Sequence, residues 1–177
     1  MKVKIGKYRD NDKKRKIKVK IHKYDTWSMD HTLAYIVLPM LKQLKKSKHG
    51  APNTDDEDVP EELRSTSAPE KENEYDVDKN HFKRWNWIMD EMIFAFDHIV
   101  DENDWESKFC SGEADWQWKK TDKKIYNPVT KKHENTFEMI KGPNHTFEMD
   151  VDGIKAVNDR IDNGLRLFGK YYRGLWD

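Results

Sequence analysis

The chain has 177 residues with 33 basic and 33 acidic side chains, so it carries no net charge, and its mean hydropathy is -1.08. That length suits one core, and 7 Trp, 7 Tyr and 7 Phe supply the large apolar areas that disordered chains lack. No stretch nears the roughly 20 apolar residues of a membrane span, so no membrane partner is expected, and the single cysteine, Cys110, excludes an internal disulfide and suits a reducing cytosol.

Taken in chain order, residues 2–8 and 15–22 alternate apolar residues with lysines, the period of half-buried strands. The turn formers Arg9-Asp10-Asn11-Asp12-Lys13 between them predict an antiparallel hairpin with one apolar and one lysine face. From Ser28 the spacing of Leu33, Ile36, Val37, Met40, Leu41 and Leu44 predicts an amphipathic helix capped by Asp25 or Ser28 and kinked by Pro39. Met1 to Gly50 holds 15 basic and 4 acidic residues, whereas Ala51 to Asp78 holds 2 basic and 11 acidic. Such blocks meet a partner or each other.

Residues 51–79 show no sustained period and read as a long acidic connection with one helical turn at Pro60 to Leu63. Asn80 opens a second helix, with Phe82, Trp85, Ile88, Met89, Met92, Phe96 and Ile99 on one face; Trp87, Ile93 and Phe94 widen its apolar surface, so it is expected at the centre of the fold. Asp115 to Lys119 and Lys124 to Tyr126 read as strands before a turn at Asn127-Pro128. The near-repeats Thr136 to Met139 and Thr146 to Met149, set around Gly142-Pro143-Asn144, predict the two strands of a hairpin. A last helix is capped by Asp152 and carries Ile154, Val157, Ile161, Leu165, Phe168, Tyr172 and Leu175, with glycines placed for close approach of another backbone. The sum is an α+β fold: an N-terminal β-hairpin, about three main helices and an antiparallel β-meander in the C-terminal half, built as a single domain over 1–177 around one core.

The stretches Asp25 to Ile36, Asp55 to Thr66, Trp85 to Met92 and Gly164 to Asp177 resemble a family of uncharacterised tailed-bacteriophage proteins. The likeness covers about Lys16 to the C-terminus, and its members look longer between the two N-terminal strands, where this chain has only a short turn. It implies a phage origin and action in the host cytoplasm, and it lends no catalytic residue.

Chemistry-bearing patterns are sparse. None of the seven histidines stands in a zinc-binding spacing. The run Asp55-Asp56-Glu57-Asp58 lacks the glycine and alternating ligands of a calcium loop, and no nucleophile elbow or phosphate-cradling loop occurs. No metal and no cofactor is expected, and a binding protein is favoured over an enzyme. Trp27, His31, Arg84, Trp87, Tyr171, Tyr172 and Arg173 are the candidate ligand- or partner-binding residues, because arginines hold phosphates and aromatic rings stack on bases or fill pockets. Three readings follow: a non-enzymatic phage accessory protein that binds a host component, including as a defence inhibitor; a nucleotide-binding sponge or nucleotide-acting enzyme against host signalling; and a minor structural protein of the virion. A host protein or a nucleotide ligand is the expected partner, and both nucleic-acid binding and homo-oligomerisation are compatible with the sequence.

Overall fold

The computed structural model describes residues 1–6, 15–100 and 105–176. They form an α+β fold with three α-helices and three separate two-stranded antiparallel sheets. The chain groups into two compact units, residues 1–101 with 158–177, and residues 102–157.

In the first unit, β1 (Lys2–Ile5) pairs with β2 (Ile17–Lys20), and the register sets Val3 opposite Val19 and Ile5 opposite Ile17 while Lys2 faces Lys20 and Lys4 faces Lys18. The alternation therefore produces the lysine face and the apolar face that the pattern predicts. All eight side chains are nonetheless exposed. The expected turn at Arg9 to Lys13 lies outside the described residues.

The first helix, α1 (Met29–Ser47), runs on through Pro39 and packs on α2 (His81–Val100). Ser28 is its N-terminal cap residue by position, but its side chain makes no capping bond; its carbonyl accepts from the Thr32 amide and hydroxyl instead. Helix α2 is central: Trp85, Ile88, Met89, Met92 and Phe96 are buried on one stripe, and Trp87 and Ile93 pack half-buried beside it. Phe82 departs from the expected stripe. It is exposed, and His81 is buried in its stead, with one ring nitrogen 3.1 Å from the Ala51 carbonyl.

The third helix, α3 (Val151–Lys170), starts one residue before the expected cap. Asp150, not Asp152, caps it, through a bond from the Gly153 amide at 2.9 Å. Its buried positions are Gly164 and Leu167, followed by Tyr171 just past its end, whereas Leu165 and Tyr172 are exposed. The phase is set by Gly164: a Cβ there would lie 2.3 Å from the Glu91 carbonyl oxygen, so α2 and α3 touch backbone to backbone at this point. Arg160 clamps the same contact with a two-pronged bond to the buried Glu91 carboxylate, at 2.7 and 3.0 Å.

In the second unit, β4 (Trp116–Asn127) and β5 (Lys132–Lys141) form a long two-stranded ribbon, and β3 (Cys110–Ser111) pairs with β6 (Glu148–Met149). The two near-repeats thus do not pair with each other. Asn127 nucleates the actual turn by accepting the Val129 amide on its side chain at 2.9 Å. The Gly142-Pro143-Asn144 segment is occupied elsewhere: the Gly142 amide donates to the Asp115 carbonyl and the Asn144 amide to the Asp115 carboxylate. Among the described residues, all the buried core residues belong to the first unit. Among the described residues, no helix is long and apolar enough to cross a membrane.

Candidate functional site

The acidic connection folds as three single 3-10 turns, Asp56–Asp58, Glu61–Leu63 and Ser65–Ser67, and two polar anchors fix its ends. At the first, Arg84 is buried on α2 and its guanidinium fork meets the Asp78 carboxylate at 2.7 and 2.9 Å, while also donating to the Leu63 carbonyl at 3.2 Å and the Thr54 hydroxyl at 3.3 Å. Those bonds hold the Asp78 carboxyl down at about 2. At the second, Tyr171 packs edge-on against Trp85 and donates its hydroxyl to Asp58 at 2.6 Å, while accepting the Asp55 amide at 2.9 Å.

Asp58 is nearly fully buried, and burial alone would raise its carboxyl. Hydrogen bonds from Lys170, Tyr171 and Arg166 outweigh that and keep it below the ordinary carboxylate range. The Lys170 ammonium lies 2.6 Å from Asp58, 2.7 Å from Asp55 and 3.3 Å from Glu57, and Arg166 lies 2.8 Å from Asp58. The acidic run that could have held a cation is therefore met by the cations of α3, and Asp56 is taken by the Ser65 amide and hydroxyl. Among the described residues, no three His, Cys, Asp or Glu side chains gather as a metal site.

Arg84 and Tyr171 are both buried, and the polar groups of both serve the loop. Trp87 is half-buried against the core. Trp27, by contrast, is 84% exposed and stacks on Tyr24, with ring centroids 6.4 Å apart. His31 is exposed and lies 3.2 Å from its own neighbour Asp30. Tyr172 and Arg173 are exposed at the C-terminal end of α3. The seven residues do not converge on one pocket, and the Arg84 guanidinium is engaged by Asp78, Leu63 and Thr54.

What the fold does assemble is an apolar groove of about 420 Å³ between α1 and the C-terminal segment. Val37, Met40 and Leu44 line one side; Phe168, Tyr172 and Leu175 line the other. Met40 is 63% and Tyr172 64% exposed, so both rims are open, while Phe168 is fixed edge-on to Phe96 at 4.9 Å. The volume falls in the range of ligand and side-chain pockets. Of the seven candidates only Tyr172 belongs to this groove. The α1 stripe that supplies Met40 and Leu44 was legible as an apolar face, but its exposure was not, because periodicity cannot tell which part of a stripe a neighbour covers. No family model, no curated protein and no solved structure matches this chain.

Proposed function

We propose that this chain is a non-enzymatic accessory protein of a tailed bacteriophage that binds a host protein, inserting an apolar side chain or helix face of that protein into the groove between α1 and the end of α3. The observation that carries the reading is the open apolar lining, with Met40 and Tyr172 left in water. Exposed apolar surface costs free energy in a free monomer and marks a contact site when it lies in a concavity. The phage setting rests on the resemblance of four stretches of the chain, and binding rather than turnover is favoured because the strongly bonded polar groups of the first unit brace a loop.

Affinity capture from infected cells, run with the wild-type chain and with a Met40→Asp/Tyr172→Asp double variant, tests it. A host protein is expected at near-equal stoichiometry with the wild type and absent with the variant, whose circular dichroism and melting temperature should be unchanged because both sites are exposed. Retention of the same protein by the double variant would remove the groove from the interaction. Turnover of a nucleotide or nucleic acid by the purified chain, abolished by one acidic-to-amide change, would overturn the non-enzymatic reading.

A further inference from the structure

The β4–β5 ribbon segregates its side chains in a way that the core does not require. Directly opposed residues share a face, so the pairs Trp116–Lys141, Trp118–Met139, Lys120–Phe137, Lys124–Asn135 and Tyr126–His133 all project to one side. Those pairs carry four aromatic rings, three lysines and a histidine, and one carboxylate, Asp122, lies in the register shift between Lys120 and Lys124. The intervening pairs Lys119–Glu138 and Ile125–Glu134 put both glutamates of β5 on the other side.

Every member of the aromatic face is exposed, Trp118 to 70% and Phe137 to 56%. At about 3.4 Å per residue, same-face side chains recur every 7 Å or so along each strand, so rings and ammonium groups lie interspersed along the face. Bare two-stranded ribbons are marginal in water, and none of these rings belongs to the buried core.

We propose that this face binds single-stranded DNA, stacking unpaired bases on Trp116, Trp118 and Phe137 while Lys120, Lys124 and Lys141 meet the phosphates. Charge complementarity selects the occupant: three lysines against the single carboxylate of Asp122 suit a polyanion, and the exposed rings of Trp118 and Phe137 suit bases whose faces are not already stacked in a duplex, while Trp116 packs edge-on against His145 at 4.3 Å. The proposal uses none of the groove residues, and its failure would leave the groove reading standing.

The test is fluorescence anisotropy of the full-length chain with a labelled oligo-dT of about a dozen nucleotides, at low and at raised salt. Binding is expected to weaken as salt rises. Trp118→Ala should weaken it roughly five- to hundredfold, Trp118→Tyr should keep most of it, and Gln117→Ala on the opposite face should change it less than twofold. Rescue by Trp118→Tyr separates lost stacking from a ribbon that no longer folds. No binding at low salt, equal binding to a duplex of the same length, tighter binding to oligo-rU, or indifference to Trp118→Ala would each overturn the proposal.

Discussion

Arg84 sits where a positive charge costs most, in the interior of the first unit, and it is stable there because Asp78 takes both prongs of its fork. Breaking a buried pair by deleting one partner leaves the other charge uncompensated. Arg84→Ala is therefore expected to cost about 3 kcal/mol, read as a lowered urea midpoint, and Arg84→Lys should recover only part of it, since an ammonium cannot span two carboxylate oxygens and the Leu63 carbonyl together. The sequence offered Arg84 as a phosphate binder. Nothing local distinguishes an arginine that will face a ligand from one that will face an aspartate six residues before it, because both need the same fork.

Among the elements, the α2–α3 contact turns on Gly164. A methyl group there would meet the Glu91 carbonyl oxygen at 2.3 Å and the Ala95 Cβ at 2.7 Å, both backbone-anchored and unable to yield. Gly164→Ala should therefore destabilise by about 1–3 kcal/mol despite the better helix propensity of alanine, whereas Gly169→Ala, with nothing within 4 Å, should leave stability equal or higher. Thermal melts of the two variants check the contrast. In the ribbon, Lys131 closes the turn with φ of 53°, a left-handed conformation that costs a side-chain-bearing residue about 1 kcal/mol. Lys131→Gly is expected to raise amide protection along β4 and β5 in hydrogen exchange.

These elements also mark the reach of pattern reading. Helix α2 was placed at the centre from its nearly continuous apolar girth, and it is there. Helix α3 was found but rotated, because a glycine at its tightest contact carries no hydropathy signal and the exposed Leu165 and Tyr172 stood in for Leu167 and Tyr171. The strands at 136–139 and 146–149 were found but mispaired. Two nearly identical segments give the same period, and their partners depend on which turn the Asn127 and Asp115 side chains stabilise.

For the whole molecule, the anchors predict a stability plateau with two shoulders. Asp78 titrates at about 2 in the folded chain instead of 3.8, chiefly through its bonds from Arg84. A depressed carboxyl contributes its stability above the unfolded value and loses it on acidification, so about 2 kcal/mol should disappear between about pH 4 and pH 2. Tyr171 is pushed the other way, from 10.0 to about 12, first by burial and then by donating to Asp58. Its neutral form is favoured in the folded state, so its contribution is complete below about pH 10 and is lost as pH rises towards about 12. Urea midpoints across pH should show both shoulders, and Tyr171→Phe should flatten the alkaline one while leaving the acid one in place.

The N-terminal basic block and the acidic connection posed the question that only tertiary structure could answer. The carboxylates of Asp55, Glu57 and Asp58 are met by Lys170 and by Arg166 from more than a hundred residues downstream, while Lys42 and Lys45 of the basic block pair with Asp97 and Asp90 on α2. By itself, the order of residues determined the α+β class, the three helices, the lysine-faced hairpin and the place of α2, since those follow from backbone periods of two and 3.6 residues written locally in the chain. The tertiary structure decided which charge meets which, how α3 is rotated, and that the aromatic side chains of α1, α3 and the ribbon stand partly in water. The physical reason is that burial and ion pairing are properties of what comes to lie opposite, and a one-dimensional pattern names the face of an element without naming its neighbour.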